Sequence, residues 1–169
     1  MRSISCSRFS AWFSWALNAA SINVSAGATL ESDATLTSRG NAVFAGALTT
    51  TGAAPVALVL QNAGAASLNT GSNTIASLAK SAVGLVTVAS DVTIAGGGFF
   101  TQTAGSFNWQ MNDLSCGGDV TLTGISNPGL FTITAGSTLT TNSQVLSGGL
   151  RITSGTTTLA DYLSASNLT

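Results

Sequence analysis

Six acidic residues and no histidine set the range of chemistry open to this 169-residue chain. Without histidine, the usual general base near neutral pH and the commonest metal ligand are missing. Carboxylates remain, and cleavage of a glycosidic bond needs two of them about 5–10 Å apart. Two pairs offer themselves. Glu31 and Asp33 are next-but-one neighbours, so on a strand they share one face. Asp91 and Asp119 open similar runs, Asp91-Val92-Thr93-Ile94 and Asp119-Val120-Thr121-Leu122, and would stack if those runs stack. The competing reading places these aspartates at strand starts and in solvated turns. That reading is preferred, so no catalytic residue is assigned and the chain is not expected to be an enzyme. Stacked Asp and Asn turns can also hold calcium. The Gly-Gly-x-Gly-x-Asp nonapeptide is absent, however, and calcium takes about six to eight oxygens. No serine sits in a nucleophile elbow. Gly96-Gly97-Gly98 lacks the lysine of a phosphate loop and reads as a flexible corner. No cofactor and no metal are expected.

Threonines and aromatics are the other candidates. Thr101-Gln102-Thr103, Thr121-Leu122-Thr123 and Thr132-Ile133-Thr134 each put two hydroxyls on one side of a strand. In register, they would build a flat hydroxyl array able to order water. Phe99, Phe100, Phe107 and Trp109 cluster in sequence. Exposed aromatic faces suit sugars. The recurrence of Phe100 at Phe131 favours a core stack for those two, and Trp109, which has no counterpart, is left open. Asn23-Val24-Ser25 and Asn167-Leu168-Thr169 fit the glycosylation pattern, which a Ser- and Thr-rich chain also produces by chance.

The elements that must position these residues repeat. Phe100-Thr101-Gln102-Thr103-Ala104-Gly105-Ser106 returns further down the chain as Phe131-Thr132-Ile133-Thr134-Ala135-Gly136-Ser137, and Gly117-Gly118 returns at Gly148-Gly149 with the same offset. Recurrence at such an interval marks stacked units that bury their apolar faces on one another. Short runs such as Ala34-Thr35-Leu36-Thr37, Val86-Thr87-Val88, Val92-Thr93-Ile94 and Val120-Thr121-Leu122 alternate apolar with Thr. Alternation with period two turns the apolar set inward, and β-branched residues suit a pleated sheet. Gly, Asn, Asp and Ser clusters separate the runs and supply corners. Residues 74–81 have a weak helical pattern and are read as strand and turn. A β-sandwich would also show short strands, but it does not require loop and glycine sequences to recur. The fold expected is all-β, a right-handed parallel β-helix (solenoid) of short strands with Gly/Asn/Ser turns. Inward Val, Leu, Ile and Phe would form ladders, with Val120 and Ile152 among them.

Composition agrees with a solenoid. Hydrophobic residues make up 44% and charged residues 7%, against about 25% charged in an average soluble domain. Arg2, Arg8, Arg39, Lys80 and Arg151 are scattered, so the clustered cations that nucleic acid demands are missing and no nucleic-acid partner is expected. No stretch reaches the roughly 20 apolar residues of a membrane span. Cys6 and Cys116 give no disulfide framework, and Cys116 is read as a small buried hydrophobe.

Residues 1–26 differ from the rest. Arg2 and Arg8 precede an apolar stretch at 9–17, and Val24-Ser25-Ala26 could be cleaved before Gly27, as in a secretory signal peptide. Phe9, Trp12, Phe13, Ala16, Leu17 and Ala20 also fall at helical spacing, so the segment could instead be an amphipathic cap helix over the first coil. A third reading is a false start within a longer reading frame. Residues 27–169 form the β-helical repeat region, which ends in what reads as the middle of a coil and is expected to be a fragment of a longer protein.

Asn73-Thr74-Ile75-Ala76-Ser77-Leu78, followed by Val86-Thr87-Val88 and Asp91-Val92-Thr93-Ile94, resembles repeats of filamentous-haemagglutinin-type and autotransporter adhesins. Residues 143–169, with Gly-Gly-Leu-Arg-Ile-Thr-Ser-Gly, share that style. The resemblance implies a bacterial passenger, secreted or held at the cell surface and outer membrane, built as a β-helix and used in adhesion. Host or environmental glycans or surface proteins would be its partners, met along the shaft or at loops such as 124–129. The secretion domain and membrane barrel of that family are not recognisable here. An ice- or crystal-binding threonine array and a polysaccharide-active β-helix are the alternatives.

Overall fold

Short runs that alternate apolar and polar residues, separated by glycine and asparagine corners, can satisfy their backbone only by pairing with runs from other coils. A computed structural model of the chain describes residues 3–6, 10–13, 17–50, 55–161 and 163–169. Every strand pairing among them is parallel, and each coil up to Thr157–Leu159 contributes one strand to each of three faces. The parallel β-helix expected from the alternation is therefore the fold, and no helix occurs among the described residues.

The first face stacks Ile4–Cys6, Ile22–Val24, Ala42–Phe44, Ala66–Asn69, Leu85–Val88, Ser106–Asn108 and Ile125–Ser126. Val145–Leu146 and Ser164–Ala165 follow it in chain order as a separate ladder. The second face stacks Ser10–Phe13, Thr29–Ser32 and Ala47–Thr49, then, after a break, Thr74–Ile75, Val92–Gly96, Leu114–Gly117, Phe131–Ile133 and Leu150–Ile152. The third stacks Leu17–Ala19, Leu36–Ser38, Ala57–Leu60, Ser77–Lys80, Phe100–Gln102, Val120–Thr121, Ser137–Thr140 and Thr157–Leu159. Residues 74–81 are strand and turn, as expected. Within residues 9–20, Ser10–Phe13 and Leu17–Ala19 are strands paired to the next coil rather than parts of a cap helix, because their backbone groups find ladder partners there. Arg2, Arg8, Phe9 and Ala16 lie outside the described residues.

The repeat length needs correction. Phe100 lies opposite Val120 in the third face, whereas Phe131 lies opposite Leu114 and Leu150 in the second. The offset from Phe100 to Phe131 therefore joins two different faces. All three faces need the same alternating strand and glycine corner, so similar sequence recurs at fractions of a coil as well as at whole coils.

Inward side chains form the ladders that the alternation requires. On the third face Leu36, Leu58, Leu78, Phe100, Val120 and Leu139 succeed one another, all fully buried. Phe100 from the third face, Phe107 from the first, Trp109 just beyond that strand and Phe131 from the second meet in the core. Ring centroids are 5.4 Å apart for Phe100–Phe107 and 4.9 Å for the edge-on pair Trp109–Phe131. Trp109 is thus core, not surface. Ile152 is only partly buried, near the last coil, so it carries less of the core than Val120 does.

Corners are closed by side chains that replace backbone partners. Asn73 spans the break in the second face: its Oδ1 accepts from Leu48 N at 2.8 Å, and its Nδ2 donates to Thr70 O and Gly46 O. Asn112 repeats the device, with Nδ2 donating to Val88 O and Trp109 O. Gln144 Oε1 accepts from Ile125 N where the first face breaks. These amides satisfy backbone groups that would otherwise be buried unpaired.

Lys80 occupies an inward position of the third face, between Leu60 and Gln102, and is buried. Its Nζ donates to Ala82 O at 2.6 Å and to Asn62 Oδ1 at 3.2 Å. One coil later Gln102 does the same work with a neutral amide, donating to Gly105 O and Gly124 O. Burial disfavours the ammonium and lowers the Lys80 pKa from its usual 10.5. Between the lowered folded value and 10.5 the unfolded chain holds more protons, so this residue's contribution to stability rises with pH across that window. Burial raises the Cys116 thiol pKa and acts in the opposite sense above 9.0, so the readout is a difference: Lys80→Gln should lower the slope of the denaturation midpoint against pH relative to wild type. A slope unchanged in the variant would show that Lys80 is not its source.

Candidate binding faces and the fate of the chemistry-bearing residues

The acids are dispersed and used as staples. Asp91 and Asp119 do not stack. Asp91 precedes a second-face strand and Asp119 a third-face strand, because the segment between them spans more than one coil. Asp113, unremarked in sequence, is the residue that follows Asp91 up the second face. Asp91 Oδ1 accepts from Asp113 N at 2.9 Å, and Asp113 Oδ1 from Leu130 N at 2.7 Å. Asp119 Oδ1 accepts from Thr138 N at 2.7 Å. Asp161 Oδ1 takes both the N–H and the hydroxyl of Thr141, and the Thr141 N–H foremost holds its carboxyl below the usual carboxylate range. The sequence does carry a signal for Asp113: Asp91-Val92 and Asp113-Leu114 both set an aspartate before an apolar strand start, and the two strands are direct partners. Each carboxylate ties its own coil to an adjacent one. Of the other pair, Asp33 borders a shallow depression of about 210 Å³ with Ser32, Thr35, Thr50 and Pro55, while Glu31 stays outside it on its strand. No group of three or more potential metal ligands occurs among the described residues.

Cys116 is buried on the inner side of the second face, between Ile94 and Ile133. Burial pushes its thiol pKa up, away from the reactive thiolate. Cys6 lies on a strand paired to Val24. The segment 124–129 is part strand and part corner, with Ser126 and Asn127 exposed. Ile125–Ser126 is a first-face strand, and Pro128 and Gly129 are buried.

The threonine pairs divide. Thr101, Thr121 and Thr140 are successive partners on the outside of the third face and form one continuous row. Thr103 and Thr123 follow on the same face, but their hydroxyls donate to Lys80 O and Gln102 O of the coil before. Thr132 and Thr134 belong to the second face, where Thr74, Thr93, Ser115, Thr132 and Arg151 make a second outward row. Coil-to-coil spacing in such a row is that of neighbouring strands, about 4.8 Å. On the first face, Ser67, Thr87, Asn108 and Ser126 form a third.

One corner departs from this regularity. Between the second and third faces a single residue, Ala76, turns the corner in one coil, whereas Gly97, Gly98 and Phe99 turn it in the next. The longer corner overhangs the shorter and leaves a groove of about 300 Å³ lined by Pro55, Ala76, Ser77, Ala95, Gly96, Gly97, Gly98 and Phe99. Gly98 must be glycine, because a Cβ would strike Ala76 O. At Gly96 a Cβ meets nothing within 4 Å. Gly98→Ala is therefore expected to cost about 1–3 kcal/mol by overpacking, and Gly96→Ala less than about 1 kcal/mol. Urea denaturation of the two variants checks the contrast.

No protein-family model, no curated protein and no solved structure matches this chain.

Proposed function

We propose that the chain is a structural and adhesive segment of a bacterial β-helical protein, secreted or displayed at the cell surface, of the kind its repeats resemble. The observation that carries this reading is the set of outward rows. They present hydroxyl and amide groups in register from coil to coil, while Asp91, Asp113 and Asp119 accept from backbone amides. Rows of largely neutral polar groups suit many shallow contacts rather than one deep site. Catalysis is not part of this proposal. The test is retention of the purified protein on surfaces coated with defined neutral glycans and with extracellular-matrix proteins. The triple variant Thr101→Ala, Thr121→Ala, Thr140→Ala should be retained more weakly with unchanged melting. If the wild type is washed from every surface as readily as an unrelated solenoid, the adhesive reading falls.

The Thr101–Thr121–Thr140 row favours one second reading, an ice- or crystal-binding face. With the hydroxyls of Thr103 and Thr123 donated to backbone carbonyls, the free array is one row wide at this level. Measurable thermal hysteresis, abolished by Thr121→Lys, would favour it over adhesion.

A further inference from the structure

The geometry points to the groove at the Ala76–Phe99 corner as a binding subsite for one neutral pyranose ring. This deepens the adhesive reading and rests on it, by naming a ligand chemistry at one discrete place away from the outward rows.

Three observations converge. Phe99 is 45% exposed at the lip of the groove, whereas its neighbour Phe100 is fully buried in the core. An exposed phenyl face offers the flat apolar surface on which the C–H face of a sugar ring stacks. Ser77 lines the wall and is only 7% exposed. The hydroxyl is open to the groove, since the buried unpaired side-chain atoms among the described residues are those of Trp109, Ser137 and Thr157, so a ring hydroxyl can replace the water it meets. Gly96 has no conformational or steric need to be glycine, and its missing side chain keeps the wall open. Among the described residues no charged one lines the groove, which favours a neutral ring over a uronic acid or a sialic acid. Its volume is at the lower end of the about 300–1,000 Å³ of small-molecule sites, enough for one ring rather than an extended chain.

The test is a titration of the whole, isotope-labelled protein, followed by backbone amide shifts, with the methyl pyranosides of glucose, galactose, mannose and N-acetylglucosamine. At least one should move the amides of residues 96–99 and saturate at about millimolar concentration, as expected for a single ring in an open groove. Phe99→Ala should weaken that binding about tenfold or more, and Gly96→Val, which adds a side chain to a lining residue whose Cβ would meet nothing within 4 Å, should weaken it with unchanged melting. The assignment is overturned if none of the four shifts these amides, if Phe99→Ala binds as tightly as wild type, or if N-acetylleucine amide is preferred to every pyranoside. Retention of wild type on glycan-coated surfaces is scored in parallel. Loss of retention removes the adhesive reading, while retention with a silent groove removes this inference alone.

Discussion

Val120→Asp is expected to abolish cooperative folding. Val120 is fully buried between Phe100 and Leu139 on the inner side of the third face. A carboxylate there has no cation to pair with: the inward lysine, Lys80, belongs to another row of the face and gives its ammonium to Ala82 O and Asn62 Oδ1. An unpaired buried charge costs several kcal/mol or forces protonation, against a total stability of about 5–15 kcal/mol. A solenoid transmits the damage, since each coil is stabilised by its neighbours. Thr121→Asp, the next position and facing outward, should shift stability by no more than about 0.5 kcal/mol. Ile152→Asp should fall between them, because Ile152 is only partly buried. Chemical denaturation followed by circular dichroism separates the three. Equal loss in Val120→Asp and Thr121→Asp would mean that the facing is misassigned.

Trp109→Ala should be the next most damaging change, at about 3–5 kcal/mol. The indole fills the centre of the shaft and touches Phe100, Phe107 and Phe131, so its removal opens a cavity that rigid neighbouring strands cannot collapse into. Among the described residues its Nε1–H has no acceptor, an orphan of a kind that costs about 1–3 kcal/mol. Trp109→Phe removes that orphan donor along with some volume and should cost less than half as much as the alanine change. A phenylalanine variant as unstable as the alanine variant would imply that the indole N–H is paired after all.

Much of this architecture is legible in the sequence because period-two alternation is a local property. Val92 and Val120 face inward because their neighbours are aspartate and threonine, and no knowledge of the coil length is needed to say so. The coil length itself is not legible in the same way. Phe100-Thr101 and Phe131-Thr132 look alike because any inward-facing strand start meets the same demand, and nothing local distinguishes a third-face strand from a second-face one. The apparent repeat consequently puts Asp119 in the column that Asp113 occupies. Trp109 cannot be placed from sequence, since its burial depends on three strands from different faces meeting at one level. Lys80 is a different case. A lone lysine after Ser77-Leu78-Ala79 reads as solvated, yet the alternation of its strand already sets it inward. The groove beneath Phe99 arises from the difference in length between two successive corners, a comparison possible only once the coils are in register.

That register is the central claim, and nuclear Overhauser contacts between backbone protons test it most directly. The account predicts cross-peaks joining Thr101 to Thr121 and Thr121 to Thr140, as in adjacent parallel strands. Cross-peaks joining Thr101 to Thr132 instead, the register of the apparent sequence repeat, would contradict it.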